Sequence, residues 1–454
     1  MKSKEFISQI KTYMKEFKVP GAAVGIRHGE ETLTKGLGIT NVNNPVPVDE
    51  STLFQIGSIT KTFVGTMVMQ LVERGKLKLD EPIRTILPDF KVKNPEATEK
   101  ATMRHLLTHT SGWVGDWFPE DLGQGQDAVA KYVSTMAETP QLTPLGKTLS
   151  YNNAGFNVAG RVLEVATGKV FSDLIKEMLF EPLNMHHTYM LPWELMTHRF
   201  AVGHRMDAKG PTPAQPWSIG RASGPAGGIV TCVKDMLNYA EFQLGDGAYK
   251  GKRILETESL RTLHSPQVKF APYNSVAHTF WVDDRRAARL LGHSGGTVGQ
   301  ISMLTFVPEH DFSILLVTNS GSGTQMTPKV TNHALSHYLG LETPELTPVK
   351  TSEKKLMELV GHYKAALTSA EVTVSNGKLY ISQRSLGGFP TRDTPPASSE
   401  PSPPVHYEFY GEDNIVGRDE PFKDGLGQVL RKPDGSIDWV RIGSRIHKPV
   451  QGTK

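Results

Sequence analysis

The chain of 454 residues contains one cysteine, Cys232, so no intramolecular disulfide can hold it together. No apolar run approaches the roughly 20 residues that cross a bilayer as a helix. The net charge is only +3 and no Lys/Arg run is present, which removes the electrostatic basis for binding nucleic acid. There is no internal repeat and no His-Glu-x-x-His. His105 and His109 stand four apart, but Leu106 occupies the place of the glutamate, so the pair reads as structural and no metal is expected. The adjacent His186 and His187 would point apart on either a helix or a strand, and Cys232, among Val230, Thr231 and Val233, reads as a buried, inert thiol. The first 17 residues lack the apolar stretch of a signal peptide. Phe6, Ile10, Tyr13 and Phe17 recur there at helical spacing among charges, which predicts an amphipathic surface helix and makes the cytoplasm the expected location.

What is present is an ordinary globular balance, 38% hydrophobic and 21% charged, enough for a large core in two or three domains. Within it, Ser58-Ile59-Thr60-Lys61 puts a hydroxyl and an amine three residues apart at the start of a predicted helix. On one helical face their β-carbons lie about 5–6 Å apart. A serine hydroxyl is a weak nucleophile until a base takes its proton, and a lysine can do so if burial or nearby positive charge keeps its amine neutral. Thr62 to Arg74 is almost uniformly apolar and Gly75 follows as a C-cap, so this helix is expected to be buried on every side.

The order of elements predicts α+β layers. Strands are expected over 22–26 and 31–39, then helices over 102–108, 155–167 and 233–244, with Pro225–Gly228 opening the last. Strands follow at 281–282, 289–291, 301–307 and 312–318, with a turn at 308–311, and a helix over 329–339. Residues 341–353, rich in Thr, Pro, Glu and Lys, read as a linker between a unit of 1–345 and one of 354–454. The second unit reads as a small all-β sandwich or barrel: Asn376-Gly377 and Pro433-Asp434-Gly435 mark hairpins, and 391–404 is a Pro/Ser-rich mobile loop.

Four stretches, taken together, resemble the serine β-lactamase and penicillin-binding-protein superfamily, and within it the class C-like branch with family VIII carboxylesterases and S12 peptidases of the D-aminopeptidase type. They are Ser58-Ile59-Thr60-Lys61, Tyr151-Asn152-Asn153, His293-Ser294-Gly295-Gly296, and the segment Thr102 to Gly112, in the family's order over roughly residues 5–340. The resemblance implies a β-lactamase-like fold, and the tail resembles the lipocalin-like C-terminal barrel of some S12 peptidases. It also implies roles. Ser58 would be acylated, Lys61 and Tyr151 would share the general-base work, and His293 would line the site from an edge strand. The backbone N–H groups of Ser58 and Gly296 would form the oxyanion hole, with Asn153, Ser294 and Gly295 at the substrate. Trp113 and Trp117, in a loop punctuated by Gly and Pro, are read as pocket walls, although such aromatics can equally pin a loop in place.

The sequence departs from the lactamase pattern at His293, where lactamases usually carry a lysine. A histidine is mostly neutral at pH 7, which disfavours the carboxylate of a β-lactam. The expected activity is therefore hydrolysis of a small ester, amide or short peptide through a Ser58 acyl-enzyme, without a cofactor, and with weak or no β-lactamase activity. A non-catalytic penicillin-recognising scaffold and an acyltransferase are the alternatives, and a homo-oligomer is compatible with either. All the named side chains precede Leu346, so the tail is expected to act on access or assembly and not on the chemistry.

Overall fold

The structure, a computed structural model, describes residues 2–396, 398 and 400–450. Eight strands form one antiparallel sheet: β1 (Gly21–His28), β2 (Glu31–Gly38), β3 (Val268–Ala271), β4 (Asn274–Val276), β5 (Trp281–Asp283), β6 (Leu290–Gly296), β7 (Ile301–Val307) and β8 (Phe312–Thr318). Their spatial order is β2-β1-β8-β7-β6-β5-β4-β3, so the N-terminal hairpin joins the late strands through β1 against β8, in the register Ala22↔Thr318. All seven residues of β8 are buried because both faces of the sheet are covered. Leu315 and Val317 enter one core, and Ile314 and Leu316 the other, as the period of two requires.

On the second face lie α1 (Lys2–Glu16), with Phe6, Ile10 and Met14 turned inward, and a late helix (Gly323–Leu339). On the first face lies a helical region containing α2 (Thr60–Glu73), α3 (Asn153–Thr167) and α4 (Val233–Leu244). Every residue of α2 from Thr60 to Leu71 is buried. Its polar side chains find partners inside the core: Thr62 Oγ1 donates to the Ile59 carbonyl at 2.8 Å, and Gln70 Nε2 to that of Ile254 at 2.8 Å.

Residues 340–352 form no regular structure. Beyond them, eight strands pair in sequence order and close into an antiparallel barrel: β9 (Gly361–Lys364), β10 (Thr368–Ser375), β11 (Lys378–Ser385), β12 (Val405–Phe409), β13 (Asn414–Gly417), β14 (Leu426–Arg431), β15 (Ile437–Ile442) and β16 (Arg445–Pro449). Closure leaves no free edge. Asn376 and Gly377, with φ of 51° and 70°, make the two-residue turn expected between β10 and β11.

Three local expectations need correction. The late helix starts at Gly323, six residues before the expected Lys329, because it runs through Pro328 and forgoes one backbone bond there. Pro225–Gly227 belongs to a separate four-residue helix, Gly224–Gly227, which is capped by Gly228 and followed by the strand Val230–Thr231 before α4 begins. The strand carrying His293 is interior, with β5, β4 and β3 beyond it. Pairing with β5 nevertheless stops at Trp281↔Gly292, so His293–Gly296 is locally an open edge. Of the stretch 391–404, positions 397 and 399 lie outside the described residues, as does Met1; the remainder of that stretch forms no strand.

Candidate active site

Ser58 sits in a single 3₁₀ turn, Gly57–Ile59, that leads into α2. The turn is pressed against β6. A β-carbon on Gly57, whose φ is +52°, would lie 2.7 Å from the Gly296 nitrogen, and one on Gly295 would lie 1.9 Å from the Ile56 carbonyl oxygen. Only glycine permits backbones this close. Ser302 Oγ, donating to the same Ile56 carbonyl at 2.8 Å, fixes the approach.

Lys61, one turn on, is fully buried, with Nζ 2.9 Å from Ser58 Oγ. Its other partners are Asn153 Oδ1 at 2.8 Å and the Ala226 carbonyl at 2.6 Å. Asn153 opens α3, and its Nδ2 donates to Asp116 Oδ1 at 2.7 Å. Asp116 is paired in turn with both Arg445 Nε and Nη2, the latter at 3.0 Å. A chain of polar contacts therefore runs Ser58–Lys61–Asn153–Asp116–Arg445.

Above Lys61 stands an aromatic group. The Tyr151 ring lies 5.0 Å from Lys61 Nζ and 4.9 Å from the Arg445 guanidinium carbon, and its hydroxyl is buried with no hydrogen bond closed. His109 packs 4.6 Å from Tyr151 and stacks on Trp281 at 5.8 Å. Its Nδ1 accepts from the Asn152 N–H at 3.0 Å, which orients the loop carrying Tyr151. His293 Nδ1 faces the Ser294 carbonyl at 2.5 Å and so must carry the proton, leaving Nε2 an acceptor that is buried and unpartnered.

Burial dominates the electrostatics. It pushes the Lys61 pKa well below its ordinary value; the Arg445 charge pushes the same way and Asp116 opposes it. Burial lowers His293 to about 3, with Lys61 adding to the effect, and drives His109 well down. The Tyr151 hydroxyl is pushed up by burial, with Ser58 and Arg445 pulling against it. The site therefore holds a lysine biased toward the free amine, two neutral histidines and a protonated tyrosine.

A family model described as β-lactamase matches residues 6–338. Penicillin-binding protein 4 of Amycolatopsis lactamdurans is 32% identical over 359 residues, spanning 77% of this chain and 94% of that protein. The chain belongs to the β-lactamase family. Among solved structures, SurE with D-Leu has a TM-score of 0.74 at 21% identity over 99% of both chains, so this likeness of fold includes the barrel. The D-amino acid amidase of Ochrobactrum anthropi SV3, complexed with L-phenylalanine amide, has a TM-score of 0.61 at 24% identity, over 73% of this chain and 98% of that one.

In this member of the β-lactamase family, Ser58, Tyr151, Asn153, His293, Ser294 and Gly296 all face one cavity of about 770 Å3. Gly295 is buried behind it against Ile56. The two tryptophans do not line it. Trp113 is 1% exposed and packs on Phe90, while Trp117 lies against the same core with Nε1 donating to Thr135 Oγ1 at 3.0 Å. Phe118, the next residue, is the one that reaches the cavity, edge-on to Phe389 of the barrel part at 5.1 Å.

The sequence reading missed Asp116, which hides between those tryptophans, and Trp281 and Phe270, which form a wall. It also missed the tail's part in the site. Leu367, Phe389, Ser444 and Arg445 line the same cavity, so the barrel part forms one wall of the candidate site.

Proposed function

We propose that this protein is a serine hydrolase that cleaves the ester or amide bond of a small acyl substrate or short peptide through a Ser58 acyl-enzyme. The observation that carries the reading is the 2.9 Å contact between Ser58 Oγ and the buried Lys61 amine. A neutral amine there can accept the hydroxyl proton as Oγ bonds to the substrate carbonyl carbon. The oxyanion would lie between the backbone N–H groups of Ser58 and Gly296, which the glycine contacts bring together. Collapse of the tetrahedral adduct expels the leaving amine or alcohol. The Tyr151 hydroxyl, kept protonated by burial, supplies its proton and is recharged from Lys61. Water then repeats the attack on the Ser58 ester and frees the acid.

The cavity favours substrates with apolar groups beside the scissile carbonyl, since Phe118, Phe270, Trp281 and Phe389 face it. The neutral His293, at the position where a β-lactamase carries a lysine, favours substrates without a carboxylate at that point. The solved amidase in complex with L-phenylalanine amide supports including amides. A rate panel of an aryl ester, D- and L-amino-acid amides, short peptides and a cephalosporin tests the reading against Ser58→Ala. Turnover that depends on Ser58, slowest for the cephalosporin, is expected. Turnover unchanged in Ser58→Ala would refute it.

A further inference from the structure

We propose that the hairpin of the last two barrel strands is a working part of the active site, and that Arg445, the first residue of β16, is the positioning residue through which the barrel sets the base. The proposal rests on the reading of Ser58 as nucleophile and Lys61 as its base.

The hairpin is built into the Tyr151 segment at several points. The backbone amides of Ser150 and Asn152 are satisfied by His109, through its carbonyl at 3.0 Å and its ring at 3.0 Å. The amide between them, that of Tyr151, donates instead to the Ser444 carbonyl of the barrel at 2.8 Å. Arg441 Nη2 donates to the Leu149 carbonyl at 2.9 Å, and the Ile446 N–H reaches Ser150 Oγ at 3.4 Å. Without the barrel, the Tyr151 amide would lose this acceptor and the loop that carries Tyr151 would lose its anchor on this side.

Arg445 adds charge to this geometry. Its guanidinium lies over the Tyr151 ring and grips Asp116, whose side chain is only 4% exposed and needs a cation to be tolerated there. The remaining 31% exposure of Arg445 opens into the cavity. The groups that face Lys61 can be named from every side. Ser58 comes from the turn before it, Asn153 and Phe156 from α3, and the Ala226 carbonyl from the short helix. Tyr151, His109 and His293 come from the aromatic side, and Asp116 and Arg445 lie beyond Asn153. Tyr151 and both histidines are neutral at pH 7, so Asp116 and Arg445 are the charges that act on Lys61. They act with opposite sign, and one of them belongs to the barrel. A docked barrel therefore favours the free amine, and an undocked one leaves Asp116 to hold the ammonium.

The test uses the full chain and the burst of p-nitrophenol from a neutral p-nitrophenyl ester, followed from pH 5 to 10. In the wild type the acid limb reports deprotonation of Lys61. Arg445→Gln should move that limb to higher pH by about one unit, so the rate falls by up to about tenfold at pH values below the wild-type limb and recovers in alkali. Asp116→Asn, which removes the opposing charge and keeps an acceptor for Asn153, should move it to lower pH. Arg445→Lys, which keeps the charge, should restore most of the wild-type limb. Shifts of opposite sign cannot come from a merely structural defect, and Asp116→Asn carries the test should Arg445→Gln fold poorly. A uniform loss at every pH, or shifts of the same sign, would overturn the proposal. So would a raised KM confined to carboxylate-bearing esters with the limb unmoved, which would make Arg445 a substrate contact. If the wild type gives no burst at Ser58 at any pH, the underlying hydrolase reading fails and takes this proposal with it.

Discussion

Gly57→Ala separates the oxyanion geometry from the stability of the fold. The added methyl would stand 2.7 Å from the Gly296 nitrogen, 2.9 Å from its oxygen and 3.0 Å from its carbonyl carbon, all of them backbone atoms. Ordinary contact begins near 3.4 Å, so Gly296 and the Ser58 turn must part by about 0.7 Å (3.4 less 2.7). An oxyanion donor works at roughly 2.7–3.1 Å, and a displacement of this size removes it. The expected loss is about 10²–10³ in kcat, or roughly 3–4 kcal/mol of transition-state stabilisation. The φ of +52° adds a backbone cost of about 1–2 kcal/mol, read as a lower melting temperature. Gly75→Ala is the control, because Gly75 has φ +67° with nothing within 4 Å of the new methyl. It should lose similar stability and keep its activity. The assay is the p-nitrophenol burst rate beside a thermal melt for each variant. A Gly57→Ala rate within about threefold of wild type would refute the placement of the oxyanion between Ser58 and Gly296.

Lys61→Ala and Tyr151→Phe should each cost orders of magnitude in burst rate, and the double variant little more than the worse single one, because groups that act as a unit are not additive; losses that multiply would contradict a shared relay. Stability should fall with acid: His264 and His447 are buried with pKa values lowered to about 4, so between 6.5 and 4 the unfolded chain binds protons that the fold refuses. At pH 5, 1.5 units below 6.5, each costs about 2 kcal/mol, and a urea midpoint equal at pH 5 and 7 would contradict this. Phe389→Ala removes the barrel's side of the Phe118 pair and should change kcat/KM for large substrates while leaving a small ester within about threefold, with equal effects on both ruling out a role in the cavity wall.

What could be read in the sequence was what local chemistry imposes. Ser58 and Lys61 share one helical turn, so their spacing is set before any tertiary contact forms, and the apolar surround of α2 announced its burial. The Asn376-Gly377 turn was legible because both residues take positive φ readily. Arg445 was not legible, because its meaning depends on a pairing with Asp116 across 329 positions and on a barrel docking that no local pattern encodes. Trp113 was misplaced for a related reason: an aromatic beside glycine in a loop can face a pocket or the core, and here Phe90 stands ready to cover it. The open edge at His293 arises because β5 is only three residues long and ends at Gly292's partner, a length that the sequence of β5 does not mark.

The central claim is that Ser58 carries the acyl group. Intact-mass analysis of the protein quenched during turnover of a slow ester, followed by peptide mapping, tests it directly. One adduct per chain on the peptide containing Ser58, absent in Ser58→Ala, is the predicted result. An adduct on Ser111 or Ser294, or one that persists in Ser58→Ala, would contradict it.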